Sequence, residues 1–133
     1  MMSDLELKIR EVLLQARISK AYKGYPFLEY AILLVIENES RLCRIYNEVY
    51  VKVAEHYGVA PTSVEKNLRT LRDAFWQNCG YEYFKEQCGI ILYNRPFPRE
   101  IIEIFAEQVE RKMRDENRKK QEAVILANEN CLK

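Results

Sequence analysis

Histidine is nearly missing from this chain, glycine and proline are scarce, and no apolar run is long; each shortage closes off a class of function. His56 is the single histidine in 133 residues, and the four cysteines, Cys43, Cys79, Cys88 and Cys131, form no CxxC pair. Zinc sites need clustered Cys and His ligands, so no metal is expected, and in a reducing compartment the cysteines stay free thiols. Gly24, Gly58, Gly80 and Gly89 stand apart, which excludes a glycine-rich phosphate loop. No nucleophile signature accompanies any cysteine, so neither an enzyme nor a bound cofactor is expected. The longest apolar run, Ala31 to Ile36, falls far short of the roughly 20 residues that cross a bilayer. The chain opens Met1-Met2-Ser3-Asp4 and enters a charged helical pattern rather than a secretory signal, so a cytoplasmic location is expected. Net charge is only +1, and any surface meant for a polyanion must be local.

What remains is the composition of one globular domain: 48% of residues are hydrophobic and 31% charged. Strand-type alternation is nearly absent, and apolar residues recur every three or four positions, so the expected class is all-α, a compact bundle of about six helices. The first helix spans Asp4 to Arg17. Gly24 breaks the chain, Pro26 takes a first helical position, and Phe27 to Asn38 forms a buried central helix. A third runs from Arg41 to Tyr57, with Tyr50 the place for a break, and ends at Gly58. Pro61 opens a fourth that reaches Gln77, and Tyr81 to Cys88 makes a short fifth closed by Gly89. Ile90 to Tyr93 is a brief extended segment before Arg95-Pro96-Phe97-Pro98, where the prolines interrupt. A long last helix begins near Pro98 with Ile101, Phe105, Val109 and Met113 on its core face. The expected organisation is a domain over 1–113 and a charged helical extension over 114–133.

Val53 to Trp76, VAEHYGVAPTSVEKNLRTLRDAFW, reads as helix, glycine turn and second helix. Ala54 leaves room for a close crossing, Gly58 can take the left-handed conformation of a tight turn, and Val64 faces inward. At about 100° per residue, Val64, Leu68, Leu71 and Phe75 cluster on one side of the second helix. The opposite side presents Thr62, Lys66, Arg69, Thr70 and Asp73, flanked by Ser63 and Glu65. Lys and Arg donate to guanine O6 and N7, Glu accepts from cytosine N4, and Ser or Thr contacts a base or a phosphate. A solvated helix face on a purely structural helix pair has the same composition. His56 reads as a surface or capping side chain, most of the nine tyrosines as core or rim residues, and Trp76 as an anchor in the core region.

The stretches KGYPFLEYAILLV, IYNEVYVKVAEHYGVAPTSVEKNLRTLRDAFW and NRPFPREIIEIFAEQV resemble the C-terminal effector domain of the sporulation initiation response regulators, over roughly Leu7 to Met113. The resemblance implies a helical bundle with an embedded helix-turn-helix that regulates transcription by reading a short site on double-stranded DNA, often as tandem copies. It makes Glu65, Lys66 and Arg69 the residues that read bases, and with Thr62, Ser63 and Thr70 of the same open face they form the expected DNA-binding set. RNA polymerase, a homologous regulator and a second copy on tandem sites are the further partners it brings.

The chain also departs from that family. Ser63 and Thr70 stand where larger basic or imidazole side chains are usual, which removes cations that would meet phosphates. Ala60 takes the N-cap position without the usual Thr or Ser oxygen, a loss of about 1 kcal/mol. Few residues precede the first helix, so a regulator without a receiver domain is expected. Between Glu110 and Lys120 stand six basic residues (Arg111, Lys112, Arg114, Arg118, Lys119, Lys120) and three acidic ones (Glu110, Asp115, Glu116), a local excess of +3. That segment reads as a solvated extension, as a phosphate-contacting arm, or as a dimer helix ending in Val124, Ile125 and Leu126. The competing reading of the whole chain is a protein-interaction module that descends from such a domain and no longer binds DNA.

Overall fold

The computed structural model describes residues 2–131; Met1, residues 132–133 and the side chain of Cys131 lie outside the described residues, as do the outer ends of the two expected segments. The architecture is all-helical, with no strand among the described residues, and ends in one long helix. Helix α1 spans Asp4–Gln15. The Ser3 side chain accepts the Glu6 N–H at 3.2 Å, and Asp4 and Glu6 place negative charge where the helix dipole is positive. The helix stops two residues before Arg17. Arg17 N–H donates to the Leu14 carbonyl and Ile18 N–H to that of Leu13, with Arg17 at φ 60°. This crossed closure normally uses glycine, so here an arginine bears the left-handed strain.

Helix α2 spans Gly24–Glu37 and begins earlier than the proline implied. Pro26 is its third residue, where an amide N–H has no helical partner to lose. Gly24 is therefore not a breaker. It is buried, and a Cβ there would stand 2.5 Å from the Asn67 carbonyl oxygen, so its role is to let α2 touch the backbone of a later helix.

The expected helix from Arg41 to Tyr57 is three pieces of different pitch: a 3-10 segment over Glu39–Arg44, a π turn over Tyr46–Tyr50, and α3 over Val51–Tyr57. The extra residue of the π turn rotates the following face and lets Val49 and Tyr50 both point inward. Helix α4 spans Pro61–Phe75 and continues through a second π turn, Trp76–Gly80, into α5 over Tyr81–Cys88. Gly80 has helical angles, and no break separates the two. Gly89, at φ 68°, closes α5. Ile90 to Tyr93 makes no strand and belongs to an irregular loop that leads to α6, Pro98–Cys131.

Helix α2 is the central element, packed against α1, α4 and α6. Leu28, Ala31, Ile32 and Val35 meet Ile9, Val12 and Leu13 of α1 and Ile101, Phe105 and Val109 of α6 in one buried core. Met113 is half-buried, and from Arg114 to Asn130 every side chain is exposed. Lys8 of α1 is ion-paired with Glu116, and Lys112 donates to Gln15, so the start of this exposed stretch lies along α1.

Candidate nucleic-acid interface

The sequence places Val53 to Trp76 in two helices, and the geometry follows from three small or rigid residues. Ala54 is buried where α3 and α4 approach. Gly58 adopts φ 67° and ψ 37°, and the Val59 N–H donates to the Ala54 carbonyl at 3.0 Å, closing α3 and turning the chain. Pro61 occupies the first turn of α4, and Ala60 is its N-cap, with no side-chain hydrogen bond to the free amides. The Tyr57 hydroxyl donates to the Pro26 carbonyl at 3.3 Å, tying the end of α3 to the start of α2. Neighbouring His56 is exposed and stacks on Tyr30 with ring centroids 4.1 Å apart.

Val64, Leu68, Leu71 and Phe75 are all buried, and they orient the rest of α4. Phe75 is the anchoring ring, in contact with Phe84 at 5.2 Å and Phe105 at 5.6 Å between centroids. Trp76 is only half-buried at the core margin, edge-on to Tyr81.

Thr62, Lys66, Arg69 and Thr70 are exposed, and Ser63 and Glu65 are half-buried beside them. The six therefore share one open helix face but are not equivalent. Arg69 donates to Glu65 at 2.5 Å, an i,i+4 pair that holds the guanidinium along the helix. The Thr70 hydroxyl donates to the Lys66 carbonyl at 3.2 Å, so its proton is spent inside the helix. Asn67 donates to the Ser63 carbonyl and hydroxyl. Lys66 makes no ion pair with a described residue. Tyr50, the last residue of the first π turn, lies close by. Burial first, and then the Glu65 carboxylate, push its phenol above the ordinary value of 10, so it stays neutral at physiological pH.

Residues 9–109 match the family described as sporulation initiation factor Spo0A C terminal. The chain belongs to this Spo0A C-terminal family. It is a family of DNA-binding effector domains of the sporulation regulator rather than of catalysts. Among the described residues, no helix is long and apolar enough to cross a membrane.

Two arginines of this Spo0A C-terminal domain escaped the helical-wheel reading. Asp73, placed on the open face, is not free: Arg72 Nε donates to its Oδ1 at 2.9 Å, and so does Arg95 Nη1. Arg72 is buried, with Nη1 3.4 Å from the Pro96 carbonyl. The wheel missed Arg72 because it points toward the seam with the α5–α6 loop, and Arg95 because it arrives from 22 residues downstream. The one available signal was the loop itself, where Arg95 and Arg99 flank two prolines with no acid between.

Proposed function

We propose that this domain binds a specific short DNA sequence by seating α4 in the major groove. Lys66 and Arg69 donate to base edges, Glu65 discriminates by accepting from cytosine and by orienting Arg69, and Thr62, Ser63 and Thr70 meet bases or phosphates at the groove walls. The observation that carries the reading is the combination of the family match with one α4 face that is open, polar and opposite the buried Val64, Leu68, Leu71 and Phe75. The domain proper takes in residues 1–113 and the charged extension 114–133. A second copy on a tandem site and RNA polymerase are the partners that fit a transcriptional role.

The test is selection of the purified chain on a randomised duplex library, with Arg69→Ala in parallel. One enriched motif is expected, and the variant should lose about 1 to 3 kcal/mol on it and relax one base position. Equal losses on the selected and on random duplexes would remove Arg69 from base reading. A second reading has its own support: with Arg69 paired to Glu65 and Thr70 bonded internally, little unpaired charge remains on the face, as in a module that docks on protein. No enrichment, together with a stoichiometric protein complex, would favour it.

A further inference from the structure

The loop between α5 and α6 carries more exposed aromatic surface than a connection needs. Tyr93 is 89% exposed and Phe97 71%. Gly89 to Arg99 includes two arginines and no acidic residue. The loop is also attached to the reading helix, through Arg95 on Asp73 and through Arg72 on the Pro96 carbonyl. Asp73 lies nearly opposite Val64 on α4, nine residues or about 180° away, so the attachment is on the open side. It borders the C-terminal end of the face that Thr62 to Thr70 begin.

We infer that residues 93–97 form a second DNA-contacting element, in which Arg95 leaves Asp73 and binds a backbone phosphate of the duplex seated on α4. The inference rests on the DNA-binding reading above. Asp73 alone would repel a phosphate; two arginines on one carboxylate leave this corner positive. The two arginines differ in what they can give up. Arg72 is buried and stays on the Asp73 carboxylate at 2.9 Å, whereas the Arg95 side chain is 56% exposed. Arg95 can therefore exchange a carboxylate for a phosphate without leaving a buried charge unpaired, and an exposed pair costs little to break. A guanidinium suits the fork geometry of phosphate oxygens, and the Tyr93 hydroxyl and Asn94 amide add neutral donors beside it. Pro96 and Pro98 fix their φ angles, which lowers the entropy lost when the loop is held. Continuity with α4 and a positive, acid-free sequence favour a duplex over a protein surface as the occupant.

The experiment is fluorescence anisotropy of the full chain with its selected duplex and a scrambled one, across 50 to 200 mM salt, on the natural protein and on Arg95→Ala, Arg95→Lys and Arg69→Ala. Arg95→Ala is expected to weaken both duplexes by the same factor, about three- to tenfold, and to lower the salt slope by about 1. Arg95→Lys should keep most of the affinity and the slope, which separates lost charge from a disturbed loop. If Arg95→Ala matches the natural protein in affinity and slope while Arg69→Ala loses discrimination, the inference falls and the reading by α4 stands. Loss confined to the selected duplex would overturn it too, because a phosphate contact carries no sequence. If the natural chain binds neither duplex, both fall.

Discussion

Gly24→Ala tests how α4 is held against α2. A Cβ at position 24 would stand 2.5 Å from the Asn67 carbonyl oxygen, 3.0 Å from its carbon and 3.4 Å from Leu71 Cβ. The nearest atoms belong to the α4 backbone and cannot rotate away. Restoring a 3.4 Å contact needs the two helices to part by about 0.9 Å, the difference from 2.5 Å. Overpacking of this kind costs about 1 to 3 kcal/mol. At about 4 °C per kcal/mol for a domain of this size, the melting temperature should fall by roughly 4 to 12 °C. The separation also matters for recognition, since a binding constellation must hold to about 0.5 Å. Specific duplex affinity should fall even well below the melting point. Gly58→Ala is the control: φ there is 67°, but nothing lies within 4 Å of the added Cβ. It should cost about 1 kcal/mol of backbone strain without pushing α4. Thermal melts by circular dichroism and anisotropy titrations decide the matter. A Gly24→Ala protein with unchanged melting temperature and affinity would refute close contact as the reason for glycine.

Three further outcomes follow from the structure. Ala60→Ser supplies the missing N-cap oxygen of α4 and should stabilise by about 1 kcal/mol, read as a rise in melting temperature. Arg17→Gly removes the left-handed strain at the end of α1 and should add about 1 kcal/mol in chemical denaturation. Docking of the long α6 on α1 should be pH-dependent at both extremes: hydrogen bonds from Lys8 hold the Glu116 carboxyl below its ordinary 4.5, and hydrogen bonds to Glu11 and Glu116 hold the Lys8 ammonium above its ordinary 10.5. The acid contributes fully above pH 4.5 and loses its contribution as pH falls through the lowered value; the base contributes fully below pH 10.5 and loses its contribution as pH rises through the raised one. Amide protection near residues 112 to 118, taken relative to the intrinsic exchange rate at each pH, should be flat between those limits, and Glu116→Gln should abolish the acid limb.

Helix existence was legible in this sequence because apolar spacing and glycine stops are local signals. Gly58 and Gly89 end α3 and α5 as the sequence implied, and Pro98 opens α6. Boundaries failed where two residues of the same type do different work. Gly24 reads like the other glycines, yet its conformation is ordinary and its function is a tertiary contact 43 positions away. The π pitch of the two turns was invisible, although the first ends at Tyr50 where the sequence placed a break, because one inserted residue leaves a stripe such as Ile45, Val49 and Val53 intact while shifting the register beneath it. The open face of α4 could be deduced from its own periodicity, since Val64, Leu68, Leu71 and Phe75 define the opposite side. The Asp73 clamp could not, because its second arginine comes from another part of the chain.

Ring packing at its C-terminal end sets the direction of α4 although its N-cap is weak. The second turn carries the helical backbone from α4 into α5, and because Phe84 of α5 returns onto Phe75 at 5.2 Å, the chain bends there rather than running on as one straight helix. The C-terminal end of α4 is fixed by rings: Phe75 touches Phe84 and Phe105, and Phe84 touches Phe105 at 5.4 Å. Phe84 and Phe105 are fully buried, and aromatic groups of this size dominate core energetics. Fraying at Ala60 therefore affects one turn, while the direction of α4 is set by packing some 15 residues away. The weak cap falls at the end that carries Thr62 and Ser63, and the strong anchor lies beyond Asp73. A domain built this way holds the axis of α4 by packing at its C-terminal end and leaves its first turn the more weakly held.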